Sequence, residues 1–152
     1  MTLNKLIENG LLLNFSCTNK DSFFEELFLI LKDKKYVNDG FLEAIKKREK
    51  EFPTGLETIS MGIAVPHVDS EYAKDSALVL CRFAQPIKFY RMDAIETEIN
   101  VKEAFVLLVN KSDEHMKALQ DLTHIWQSPE LLKLIYMAKT KQEIIEQLER
   151  IG

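Results

Sequence analysis

EAFVLLVN, residues 103–110, runs six apolar residues together without the apolar-polar alternation of a strand that has one wet face. A strand of this kind is covered on both sides, so the sheet containing it needs layers above and below. Upstream, GLETIS (55–60), GIAVPH (62–67), ALVLCRFA (77–84) and IKFYRM (87–92) are short, rich in β-branched and aromatic residues, and separated by Gly, Pro or polar breaks. Pro86, between 77–84 and 87–92, reads as a tight connection between two neighbouring strands.

Helical periodicity flanks this extended region on both sides. DSFFEELFLILKDK (21–34) puts Phe23, Leu27, Ile30 and Leu31 on one stripe, with Asp21 or Ser22 as N-cap. A second helix is expected from about Asn38 to Lys50, with Phe41, Ile45 and Phe52 pointing inward and Pro53 and Gly55 ending it. Before both helices, Leu11 to Phe15 is strand-like. After the sheet come SDEHMKALQDLTHIWQ (112–127), SPELLKLIYMAK (128–139) and TKQEIIEQLERI (140–151). Ser128 followed by Pro129 is a helix start, and Thr140 with Glu143 is a capping box. The expectation is a single layered α/β domain over residues 1–152: a mixed β-sheet of about five strands with helices packed on its faces. No internal repeat or linker interrupts it.

Composition narrows the function classes. The 152 residues suffice to bury a core without disulfides or a structural metal. The 24 acidic and 20 basic side chains are spread along the chain for a net charge of −4, so no basic stripe suits nucleic acid. The run KKREKE (46–51) mixes signs at helical spacing and reads as a solvated helix face. Cys17 and Cys81 are too few for a disulfide scaffold. Cys81, inside an apolar run, reads as a buried free thiol, which suits the cytoplasm. GLLLNF (10–15) is too short for a signal-peptide core or a membrane span, so the chain is expected to stay where it is made.

Three histidines can be weighed singly. His67 follows Pro66, which lacks a ladder donor and marks the end of a strand, where α/β folds place ligand sites. Locally it reads either as a turn histidine or as a site group. His115 falls in the first turn of a helix capped by Ser112 or Asp113 and shares a stripe with Leu119, Leu122 and Trp126. It is either a half-buried end to that stripe or a group facing an anion. His124 lies nine residues further on, at about 100° per residue roughly half a turn away, and is expected to be structural or at the surface. Arg48 borders the buried stripe of its helix, either as a snorkelling side chain or as a fork of donors for a phosphate.

Arg48-Glu49, Pro53-Thr54-Gly55 and Ala64-Val65-Pro66-His67, followed by Glu114-His115-Met116, resemble the EIIA phosphocarrier domains of the mannitol-fructose class of the bacterial phosphoenolpyruvate:sugar phosphotransferase system. FPTGL (52–56) looks closest to galactitol-type members, while Val68-Asp69 departs from the family pattern. The resemblance implies that His67 accepts a phosphoryl group from the phosphocarrier HPr and passes it to a cysteine of a sugar-specific EIIB. It further implies that His115 and Arg48 stabilise the phosphoryl oxygens, without cofactor or metal. The membrane is then reached only indirectly, through the EIIB/EIIC transporter. Positioning and charge stabilisation are what such a transfer asks of a protein. Met61 and Val68, beside the motif, are either rim residues for these partners or ordinary packing. Two other readings stand beside this one: a regulatory EIIA-like phosphoprotein controlling transcription or metabolism, and a metal-binding module using His67, Asp69 and His115.

Overall fold

The computed structural model describes residues 2–151. A first helix, α1 (Leu3–Asn9), precedes strand β1 (Leu11–Phe15) and helices α2 (Lys20–Asp33) and α3 (Phe41–Glu51). The sheet region follows as β2 (Gly55–Glu57), β3 (Gly62–Ala64), β4 (Ala77–Tyr90) and β5 (Glu98–Leu108). Helices α4 (His115–Trp126), α5 (Pro129–Met137) and α6 (Lys141–Ile151) close the chain. The five strands lie in the order β1-β4-β5-β3-β2. β1 and β4 are parallel, as are β3 and β5, whereas β4 with β5 and β2 with β3 are antiparallel, so the sheet is mixed as expected.

The unalternating run in β5 works as anticipated. Successive side chains leave a strand on opposite faces. Ala104, Val106 and Leu108 join Phe23, Phe24, Leu27, Phe41 and Ile45 of α2 and α3 in one buried cluster. Phe105 and Leu107 join a second cluster on the other face, with Leu122 and Trp126 of α4 and Leu132 and Ile135 of α5.

Several local expectations change. α1 is a helix the sequence reading did not contain; Thr2 caps it through its hydroxyl. α2 starts two to three residues earlier than expected: its N-cap is Asn19, whose side chain accepts from the Ser22 N–H, and not Asp21 or Ser22. α3 begins at Phe41 rather than Asn38. Residues 77–84 and 87–92 are not two neighbouring strands. They form one continuous β4 whose register against β5 shifts between Arg82 and Ile87, so Pro86 sits in an irregularity of a single strand. In α3 the inward stripe runs Phe41, Ile45, Glu49. Phe52, expected inside, is 63% exposed, while Glu49 is 2% exposed. KKREKE is therefore not wholly a solvated face.

Ser128 caps α5 with Pro129 in its first turn, and the Thr140 hydroxyl accepts from Glu143 N–H while Glu143 reaches back to the Lys139 N–H. Cys81 is buried and Cys17 half-buried, both as free thiols. Among the described residues no helix is long and apolar enough to cross a membrane.

Candidate functional site

β3 is short because the chain must turn at Pro66, yet its register persists. Ile63 pairs with Glu103, Ala64 with Ala104, and beyond the proline His67 still bridges Leu107. The Leu107 N–H donates to the Pro66 carbonyl at 3.1 Å. Ile63 and Val65 point to the α4 side of the sheet, and His67, two residues on, keeps that parity. It meets His115, the first residue of α4, with ring centroids 5.4 Å apart and planes at 75°.

Arg48 approaches from α3, which packs on the opposite face, so the site forms where the two layers meet at the end of β3. Its Nη1 donates to Asp69 Oδ1 at 3.3 Å, and its guanidinium lies 5.8 Å from the Phe52 ring centroid. The Nε of Arg48 and the Nε2 of His115 are buried without a hydrogen-bond partner. Buried polar atoms without a partner are rare in folded proteins, and here both belong to residues that act on His67, His115 by ring contact and Arg48 by charge.

The tautomer of His67 follows from its partner. A carbonyl oxygen only accepts, so the 2.8 Å contact from Nδ1 to the Val65 carbonyl places the proton on Nδ1 and leaves the Nε2 lone pair free. Burial lowers the pKa of His67 below the ordinary histidine value. The Val65 carbonyl works against that shift, Arg48 and His115 add to it, and Asp69 opposes it. His115 is lowered as well, by burial and then by Arg48, with Asp69 opposing. Both rings are neutral at pH 7, and His115 stands at the positive end of the α4 dipole.

Two hollows adjoin Phe52. One, of about 300 Å³, is lined by Arg48, Val68, Asp69 and Tyr72. The other, of about 440 Å³, is lined by His67, Val65, Thr54, Leu119, Trp126, Met92 and Ile95. The exposed apolar rim is made by Phe52, Met92, Ile95 and Met116. Met61 and Val68 are buried, which favours the packing alternative over the rim.

His124 is exposed, as expected. A metal reading from His67, Asp69 and His115 finds no support in placement, since no three His, Cys, Asp or Glu side chains are grouped for an ion among the described residues.

Glu49 was hidden by its charge run. Its Oε2 accepts the Thr54 N–H at 2.7 Å and its Oε1 the Thr54 hydroxyl at 2.8 Å. That hydroxyl accepts the Val65 N–H at 3.2 Å. The available signal was spacing: Glu49 stands four residues after Ile45 and eight after Phe41, squarely on the buried stripe. Burial pushes its pKa up to about 7, with the two Thr54 donors pulling downward.

Comparison with known proteins shows the family and the fold. Residues 5–151 match the family model described as phosphoenolpyruvate-dependent sugar phosphotransferase system, EIIA 2. The galactitol-specific EIIA component of Escherichia coli (strain K12) is 31% identical over 109 residues, covering 71% of this chain and 72% of that protein. Among solved structures, the nitrogen regulatory protein IIA-Ntr of Neisseria meningitidis superposes with a TM-score of 0.69 at 22% identity, over 95% of this chain and 97% of its own. The mannitol IIA enzyme of Escherichia coli, solved in complex with phosphorylated mannitol IIB, superposes with a TM-score of 0.69 at 19% identity, over 92% and 94%. The two structures carry the fold, and the family match carries the identity: this chain belongs to the EIIA type 2 family of the phosphoenolpyruvate-dependent sugar phosphotransferase system and is a phosphotransferase component of it.

Proposed function

We propose that residues 1–152 work as a single EIIA domain in the cytoplasm, with His67 as the phosphoryl acceptor and donor. Phospho-HPr delivers the group: the N–P bond to its histidine breaks as one forms to His67 Nε2. The group then leaves His67 for the thiolate of a cysteine in EIIB. The observation that carries this reading is the tautomer of His67, whose Nδ1–H is held by Val65 and whose Nε2 is left as a neutral nucleophile beside His115. His115 Nε2–H and Arg48 Nε–H, the two buried donors without partners, supply hydrogen bonds to the equatorial oxygens. A phosphohistidine that must be passed on is stabilised only modestly, which suits a site with two such donors. The likeness to a galactitol-specific component supports a galactitol-type permease as the system served.

The test is incubation with phosphoenolpyruvate, the first enzyme of the system and HPr, read by intact mass before and after acid. One acid-labile phosphoryl group is expected, absent in His67→Ala. A label persisting in that variant places the acceptor elsewhere. Galactitol-specific EIIB should discharge the phosphoprotein faster than mannitol- or fructose-specific EIIB; equal rates would remove the galactitol assignment.

A further inference from the structure

Thr54 and Val65 face each other just past the last ladder pair of β2 and β3, Gly55 with Ala64. A Cβ on Gly55 would lie 2.5 Å from the Tyr90 carbonyl, so only glycine lets this strand end seat against β4. Beyond that pair the ladder is replaced by a side chain. The Val65 N–H, which an extended strand would give to a neighbouring carbonyl, donates to the Thr54 hydroxyl. On the other side of Val65, Pro66 has no N–H of its own, and the Val65 carbonyl accepts from the His67 ring. Val65 is therefore held at its nitrogen by Thr54 and in turn holds His67 at its oxygen.

A threonine hydroxyl has one proton to give. Glu49 Oε1 takes it, and the lone pairs of Oγ1 are left for the Val65 N–H. The second carboxylate oxygen accepts the Thr54 backbone N–H, so both oxygens serve this one residue. No ion pair reaches Glu49 within 4 Å among the described residues. A carboxylate placed in the interior with no cation bonded to it, and spent entirely on one threonine, does more than close the loop after α3.

We propose that Glu49 and Thr54 are positioning residues for His67, with the carboxylate fixing the Thr54 hydroxyl as acceptor for Val65 and Val65 fixing His67 in its Nδ1–H tautomer with Nε2 open to phosphorylation. This rests on the reading of His67 as phosphoryl acceptor and assigns that residue's preparation to a pair remote from the phosphoryl group itself. Neither Glu49 nor Thr54 touches the reacting atoms. Their effect passes through three consecutive hydrogen bonds whose direction is set at the carboxylate end.

The test compares Thr54→Val, which keeps shape and loses the hydroxyl, with Thr54→Ser, which keeps the hydroxyl, and with Glu49→Gln, which keeps size and removes the charge. Two quantities are read on each folded variant: the His67 tautomer, from imidazole 15N shifts of the unphosphorylated protein, and the phosphorylation rate by phospho-HPr. Thr54→Val and Glu49→Gln are expected to mix the two neutral tautomers and to slow phosphorylation about tenfold, the weight of one orienting hydrogen bond. Thr54→Ser is expected to restore both. A Thr54→Val protein that keeps the Nδ1–H tautomer and the rate overturns the proposal, as does a Thr54→Ser protein as impaired as Thr54→Val, since methyl packing would then be the cause. Should Thr54→Val not fold, Glu49→Gln and Thr54→Ser give the same decision between them. A label that persists in His67→Ala overturns the acceptor assignment itself and is read separately, because the tautomer is measured without phosphorylation.

Discussion

Glu49 and Glu103 are both taken out of water, and burial pushes the pKa of each up to about 7, yet the surroundings they meet are of opposite kinds. Glu103 lies in the middle of β5, directly across from Arg82 of β4, whose Nε donates to its Oε2 at 3.1 Å. The rest of that guanidinium reaches out of the sheet to the carbonyls of Ile135, at 2.6 Å, and Ala138 at the end of α5. Arg82 thus joins the central strands to a helix C-terminus, where a cation is favoured. Among the described residues Glu49 is bonded to no cation, and it spends both oxygens on the backbone N–H and hydroxyl of Thr54. One carboxylate ties layers together; the other is the one proposed to position His67.

The largest effect expected from this contrast is on stability at the Glu103 site. Arg82→Ala leaves a fully buried carboxylate uncompensated and uncaps α5, and should cost about 3–5 kcal/mol in chemical denaturation. The double variant Arg82→Met, Glu103→Leu should recover most of that loss, since two apolar side chains need no partners there. Glu49→Gln should cost less, about 1–2 kcal/mol, because the amide still accepts the Thr54 N–H. A Glu49→Gln protein destabilised as much as Arg82→Ala, with unchanged phosphorylation, would erase the distinction between the two sites.

A further effect, shared by the pair, depends on pH. A carboxyl raised from 4.5 to about 7 binds more protons folded than unfolded between those values. Its contribution to stability is complete below 4.5 and is lost as pH rises through 7. Glu103→Gln and Glu49→Gln remove that dependence, so the stability of each variant relative to wild type should climb across pH 4.5–7. Urea midpoints at several pH values check it, and parallel curves would show that the glutamates do not titrate there. Only Glu49→Gln should also change the phosphorylation rate.

The layered fold was readable because its signals are periodic: six unalternating apolar residues in β5, stripes in α2 and α4, and caps at Ser128 and Thr140. The continuity of β4 was not, because Ala84, Gln85 and Pro86 are exposed and carry the chemistry of a turn, while the pairing on either side that makes them one strand is non-local. The placement of His67 at a strand end followed from Pro66. Its grouping with His115 and Arg48 came from the family resemblance, since α3, β3 and α4 meet only in three dimensions. Glu49 escaped because a charged residue in a charge run looks solvated, and only its spacing from Phe41 and Ile45 says otherwise. The exposure of Phe52 follows from the same event: α3 ends at Glu51, and Phe52 no longer keeps helical phase.

The smallest expected effects concern the ionisation of His67 itself. Its pKa is lowered first by burial, then by the positive charge of Arg48 and by His115, and is raised by the Val65 carbonyl and by Asp69. Arg48→Gln removes a cation and should move the His67 pKa upward, while Asp69→Asn removes an anion and should move it downward. A raised pKa protonates the nucleophile at higher pH, so the acid limb of the phosphorylation profile should shift to higher pH in Arg48→Gln and to lower pH in Asp69→Asn. NMR titration of the imidazole gives the pKa directly. In Asp69→Asn the Arg48 guanidinium keeps an amide oxygen as acceptor but loses the charge that holds it, and turns more easily toward a phosphoryl group on His67. A downward pKa shift with an unchanged or faster transfer rate would mark Asp69 as a restraint on Arg48. An upward shift in Asp69→Asn would mean that its charge does not reach His67 and that the two layers are coupled less closely than the geometry of the site requires.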